Sequence, residues 1–126
     1  MKKILIVDDS ATARMFVKRC LEIAGFKDAV FVEVPDGVDA LEKMKEERFD
    51  IVFSDLTMPK MDGVTLLKSI KADPILQPAA VFIISSAGNP AMEKTLLDEG
   101  ALAVLKKPVS PSVLVPVVER FMINKK

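Results

Sequence analysis

Five short apolar runs punctuate the chain, at residues 4–7, 30–34, 51–54, 81–85 and 103–105. They are rich in β-branched residues and mostly non-alternating, the pattern of strands covered on both faces. Between them lie amphipathic stretches with helix punctuation. The first spans about residues 12 to 24, with Ala13, Phe16, Val17, Cys20 and Ala24 on one face and Gly25 as its stop. The second follows Asp36-Gly37, turning Val38, Leu41 and Met44 inward and Glu42, Lys43, Glu46 and Glu47 outward. The third follows Asp62-Gly63 and uses Val64, Leu67 and Ile70. The fourth opens on Asn89-Pro90, a cap with proline in the first helical position, and ends at Gly100. The fifth opens on Ser110-Pro111 with the same grammar, but carries Pro116 inside it, which removes a backbone donor and predicts a kink. Its apolar residues run nearly all round, so Val115 and Met122 are candidates for exposed apolar surface.

Strand–helix alternation, five times over, predicts a doubly wound α/β domain: a five-stranded parallel sheet with helices on both faces. The flavodoxin-like strand order 2-1-3-4-5 accommodates five such units, and residues 1–126 form one domain. Sheets of this kind bind ligands beyond the carboxyl ends of the strands, where the strand order reverses. Here that point falls between the first and third strands. Eighteen basic and eighteen acidic residues cancel, so neither nucleic acid nor a membrane surface is an expected partner. The four apolar residues after Met1-Lys2-Lys3 are too few for a signal peptide. The single cysteine, Cys20, excludes an internal disulfide, and a cytoplasmic location is expected. There is no histidine, tryptophan or tyrosine. That excludes Ser-His-Asp and Cys-His catalysis and histidine-ligated zinc.

The remaining chemistry belongs to carboxylates, hydroxyls and lysines. The first strand ends in Asp8-Asp9 and the third in Asp55, and the expected topology makes those strands neighbours. Three like charges in one crevice push one another toward protonation unless a cation intervenes. Mg2+ is the natural candidate, being hard, oxygen-seeking and commonly held by one or two carboxylates together with phosphate oxygens. Capping of the first helix accounts for part of the acid pair, but not for Asp55 opposite it. The fourth strand ends in Ser85-Ser86-Ala87-Gly88 and the fifth in Lys106-Lys107-Pro108. A hydroxyl and an ammonium beside a carboxylate–metal cluster point to phosphoryl recognition.

These segments together resemble a known family. The stretch from Ile4 through Asp8-Asp9 to Ser10, then Asp55-Leu56-Thr57-Met58-Pro59 with Asp62-Gly63, then Ser85-Ser86-Ala87, then Lys107-Pro108 look like the receiver domains of two-component response regulators. The chain is similar to their CheY-like, single-domain members over nearly its whole length. The resemblance implies that Asp55 is the phosphoryl acceptor and that Asp9 is a direct Mg2+ ligand. It implies that Asp8 is the partner acid often acting through water, and that the Thr57 backbone carbonyl is a further ligand. Lys107 would pair with Asp55 or its phosphoryl group, and Ser85 would be the switch hydroxyl. The donor would be a phosphohistidine on a histidine kinase or phosphotransfer protein, or a small acyl phosphate. The implied protein is a signalling switch with self-phosphorylation and self-dephosphorylation only, not a metabolic enzyme. Its output would pass by contact through the face of the fourth helix, fifth strand and fifth helix, as a monomer or a weak phosphorylation-dependent dimer, with chemotaxis as the expected setting.

The match departs from the family pattern in places. Val104 stands where an aromatic residue often precedes the lysine by three positions. Ser85 replaces the commoner threonine. Thr57 and Ala87 occupy positions that tune hydrolysis in the family, and neither is an acid or amide that could orient an attacking water, so self-dephosphorylation is not expected to be especially fast. Three alternatives compete. A phosphatase of the haloacid-dehalogenase type needs a second acid two residues after the nucleophile, where Thr57 stands. A flavodoxin needs a phosphate-cradling loop after the first strand, where Asp8-Asp9 stands. A degenerate receiver serving as a docking module is the third; the full Asp, Ser and Lys set argues against it, and a phosphorylation assay decides it.

Overall fold

A computed structural model of the chain describes residues 2–86 and 89–124, with the side chains of Val118 and residues 121–124 left aside. The elements alternate as expected: β1 (Lys3–Val7), α1 (Ala11–Ile23), β2 (Val30–Val34), α2 (Gly37–Glu46), β3 (Ile51–Asp55), α3 (Gly63–Ala72), β4 (Ala80–Ser85), α4 (Pro90–Asp98), β5 (Ala103–Lys106) and α5 (Pro111–Asn124). All strand pairs are parallel, in the order β2-β1-β3-β4-β5. The order 2-1-3-4-5 read from the alternation is the one observed.

Strand side chains alternate between two apolar layers. Leu5, Val7, Val52, Val81 and Ile83 pack with Ala40, Met44, Leu66, Leu67, Ile70 and Leu96 from α2, α3 and α4. Ile4, Ile6, Ile51, Phe53, Phe82 and Ile84 pack with Val17, Cys20, Leu21 and Leu114 from α1 and α5. In that second layer the Phe53 and Phe82 rings stack, 4.8 Å between centroids and 11° apart in plane. Such a pair contributes beyond the area it buries.

Four helices start at the carboxyl edge of the sheet under the same rule. Ser10, Asp36, Asp62 and Asn89 each accept the amide of the residue three positions on, which satisfies a donor that the first helical turn leaves open. At the other end, α1 and α4 close alike. Gly25 and Gly100 take positive φ, and the amides of Phe26 and Ala101 reach back to the carbonyls of Leu21 and Leu96, the bond pattern that follows a left-handed residue after a helix.

Several sequence expectations need correction. β2 is an edge strand, largely half-exposed, and not covered on both faces. The buried face of α1 is Val17, Cys20 and Leu21, while Phe16 is 49% exposed. In α2 the inward residues are Gly37, Ala40 and Met44, and Val38 is exposed. In α3, Leu66 joins Leu67 and Ile70 inside, and Val64 is only half-buried. Pro116 lies inside α5, as expected. Val115 within it is half-buried, and the Met122 side chain lies outside the described residues.

Candidate phosphoacceptor and metal site

The parallel ladder sets the site. β1 and β3 lie side by side, with Val7 opposite Ser54, so the residues just beyond them, Asp8 and Asp55, share one edge. Asp8 and Asp55 are buried and Asp9 is exposed. One carboxylate oxygen from each of Asp8, Asp9 and Asp55 lies within 4.8 Å of the others. Lys107, one residue past β5, reaches back over this cluster. Its Nζ is 3.1 Å from Asp55 Oδ1 and 3.9 Å from Asp8 Oδ2. The Lys107–Pro108 peptide bond is cis.

Asp8 and Asp55 are each held by the backbone that follows them. The Ser10 amide donates to Asp8 Oδ1 at 2.9 Å, and the Leu56 amide donates to Asp55 Oδ1 at 3.0 Å. Ser54, fully buried, donates its hydroxyl to the Asp55 carbonyl. Burial raises the Asp8 carboxyl above its ordinary range, and the charge of Asp55 and the Asp9 contact push the same way. The Ser10 amide and the Lys107 charge oppose that rise. An acid cluster in this condition suits a divalent cation: every donor is oxygen, and exposed Asp9 leaves the cluster open to water. The residues present therefore fit Mg2+.

Ser85 is buried at the end of β4, and its carbonyl accepts the Lys107 amide at 2.9 Å. The hydroxyl-bearing and ammonium-bearing segments are thus tied together by backbone. Thr57 is exposed in the β3–α3 connection, whose course is pinned by Gly63. The Gly63 amide donates to the Leu56 carbonyl at 2.7 Å, and a Cβ at Gly63 would fall 2.7 Å from the Asp55 carbonyl oxygen. Ala87 lies outside the described residues. Val104 borders a cavity of about 120 Å³ between α4 and β5, together with Ser85, Met92 and Leu96. A second, open groove of about 360 Å³ runs from Asp8 and Lys107 along Phe16, Val17, Pro108 and Val109.

Sequence reasoning missed three members of this neighbourhood. Arg14 donates to the Asp8 carbonyl at 2.6 Å and to Glu33 at 3.1 Å. Lys60, at a positive φ of 68°, faces the buried Asp36 carboxylate at 3.5 Å. A lone arginine on a helix carries no signal of a partner nineteen residues away, and only the β1–β2 register reveals it. Nothing short of a positive φ marks Lys60.

The fold is thus an open, doubly wound parallel α/β domain with three carboxylates and a lysine gathered at its switch point. The family model of the response regulator receiver domain matches residues 4–119. The chemotaxis protein CheY of Thermotoga maritima is 38% identical over 120 residues, covering 94% of this chain and 96% of that protein. CheY of Bacillus subtilis is 42% identical over 106 residues, covering 84% and 85%. The solved structure of the chemotaxis response regulator CheY4 of Vibrio cholerae superposes with a TM-score of 0.83 at 30% identity, covering 95% of this chain and 98% of that one. This chain belongs to the response regulator receiver domain family, among its CheY-like members. Among the described residues, no helix is long and apolar enough to cross a membrane.

Proposed function

We propose that the protein is a phosphorylation switch that takes a phosphoryl group on Asp55 and signals by contact with another protein. The observation that carries this reading is Lys107 Nζ, 3.1 Å from Asp55 Oδ1, beside an acid cluster fit for Mg2+. An Asp55 oxygen attacks the phosphorus of a phosphohistidine or acyl phosphate. The bond from phosphorus to the donor's nitrogen or oxygen breaks as the bond to Asp55 forms, and the departing imidazole takes up a proton from water. Asp8, Asp9, Asp55 and the Thr57 backbone carbonyl would hold Mg2+, which neutralises charge on the phosphoryl oxygens when bound. Lys107 pairs with Asp55 before transfer and with phosphoryl oxygens after it. Ser85 supplies a hydroxyl donor to the same group. The protein does no metabolic chemistry beyond gaining and losing this group.

The chain contains no histidine, so a phosphohistidine donor must stand on another protein, a histidine kinase or phosphotransfer partner. Output leaves through the α4–β5–α5 face, and the chemotaxis relatives support a chemotaxis-type role in the cytoplasm. The test is incubation with acetyl phosphate, with and without Mg2+, followed by intact mass, beside an Asp55→Asn control. A phosphoryl adduct that needs Mg2+ and vanishes in the variant is the expected result. A folded protein that forms no adduct with acetyl phosphate or a phosphorylated kinase would be a docking module instead.

A further inference from the structure

We propose that Arg14 and Glu33 form a brace that holds the Asp8-Asp9 turn in its cation-binding shape, so that the edge strand β2 sets part of the affinity for Mg2+. The proposal rests on the Mg2+ reading of the acid cluster. Both backbone polar groups of Asp8 are held from the β2 side. Its amide donates directly to the Val34 carbonyl at 3.2 Å. Its carbonyl accepts Arg14 Nη1 at 2.6 Å, a short charge-assisted bond, and Arg14 Nε donates to Glu33 Oε1 at 3.1 Å. Glu33 pairs with Ile6 in the β1–β2 register, two residues before Asp8. The guanidinium therefore closes a loop from β2, through α1, back to the last residue before the turn.

The Asp8 side chain is fixed by the Ser10 amide, and Ser10 in turn caps α1 and accepts the Arg14 amide through its carbonyl. Asp9 lies between these anchors, so its carboxylate inherits its position from them. The Arg14 side chain is only 17% exposed and its bond to the Asp8 carbonyl is part-buried, while the Glu33 end of the pair is open to solvent and contributes less. Two donors on one rigid plane reach two acceptors at once, which a lysine ammonium on a flexible stem does poorly. Glu33 has a second effect. A bare guanidinium beside three carboxylates would oppose an incoming cation, and the Glu33 carboxylate offsets that charge. Arg14 and Glu33 are positioning residues, acting through the turn rather than on the phosphoryl group.

Mg2+ titrations followed by backbone amide shifts of Asp9 and Ser10 test the brace in wild type, Arg14→Ala, Arg14→Lys, Glu33→Gln and Asp9→Asn, with thermal melts in metal-free buffer to verify folding. Loss of a group that orients a metal ligand typically weakens binding by tenfold or more. Arg14→Ala should raise the Mg2+ dissociation constant about tenfold, Arg14→Lys should recover part of that, and Glu33→Gln should raise it about threefold. Phosphorylation by acetyl phosphate in the Arg14 variants should return close to the wild-type rate at saturating Mg2+, the loss lying in half-saturation. Wild-type Mg2+ affinity in folded Arg14→Ala, or in Glu33→Gln if the former does not fold, overturns the brace alone. A wild-type chain that Mg2+ does not shift, or shifts identically in Asp9→Asn, overturns the metal reading and the brace with it.

Discussion

Asp8 carries a conflict that a cation would relieve. Burial, with the charge of Asp55 behind it, holds its carboxyl above the usual range. An acid whose folded value is raised binds its proton more readily in the native state than in the unfolded chain. Ionised Asp8 therefore destabilises the fold at neutral pH, and that penalty is relieved as pH falls through the raised value. Asp8→Asn keeps an oxygen for the Ser10 amide and removes the charge. In metal-free buffer at pH 7 it should raise the thermal midpoint by a few degrees, a gain that shrinks toward the ordinary carboxylate range. The same variant should bind Mg2+ about tenfold more weakly. An unchanged or lowered midpoint at pH 7 would contradict this account of Asp8. Cys20 is a different kind of buried group: at 2% exposed, with its thiol pushed up by burial, it offers little thiolate. Ellman's reagent at pH 8 should label it at least about a hundredfold faster in urea than in the native protein; comparable rates would mean that α1 opens freely.

The β3–α3 connection shows how an element's start can serve the strand before it. A Cβ at Gly63 would meet backbone, the Asp55 carbonyl oxygen at 2.7 Å and Leu56 Cα at 2.9 Å. Alanine in a helix gains up to about 1 kcal/mol over glycine, but backbone cannot step aside, and such overpacking costs about 1–3 kcal/mol. Gly63→Ala should therefore lose about 1–2 kcal/mol in urea unfolding. At Gly37 the clash is with the Met61 side chain, at 3.0 Å, which can move. Gly37→Ala should lose less than half as much, and equal losses would mean that the β3–α3 loop is not pinned at Gly63. Both Asp-Gly pairs were legible as helix starts, because the cap rule is local. The reason for each glycine was not, since it depends on what another segment brings against it. The misplaced faces have a similar origin. Phe16 and Val17 are adjacent and both apolar, so periodicity alone allows either to point inward, and the apolar layer that α1 shares with β1 and α5 takes Val17. Small Gly37 and Ala40, rather than Val38, let α2 lie close to the sheet.

At the scale of the molecule, the strands were readable because four of the five are apolar on both faces, and the gathering of Asp8, Asp9, Asp55 and Lys107 was readable because α/β topology brings strand ends together. β2 was misread as covered, although Glu33 within it is the mark of an edge. That same residue carries the proposed brace, which no local pattern could reveal. Because the acid cluster is assembled only when β1 and β3 pair, a Mg2+ ion held there would bind the folded chain selectively, and its binding energy would add to global stability. Raising free Mg2+ to a hundred times its dissociation constant should add about 2.7 kcal/mol, seen as a rising thermal midpoint. Asp9→Asn should show far less of that rise. A midpoint indifferent to Mg2+ in wild type would separate the acid cluster from metal binding altogether.

The small side chain at Val104 has a practical consequence. With neither tryptophan nor tyrosine in the chain, the protein is nearly dark to near-ultraviolet excitation, and the hollow bordered by Val104, Ser85 and Met92 offers a seat for a larger ring. A lone indole introduced by Val104→Trp would be the protein's single emitter. Seated against the Ser85 end of β4, it would turn an optically quiet domain into one whose glow could follow, without a dye, the phosphoryl transfer proposed at Asp55.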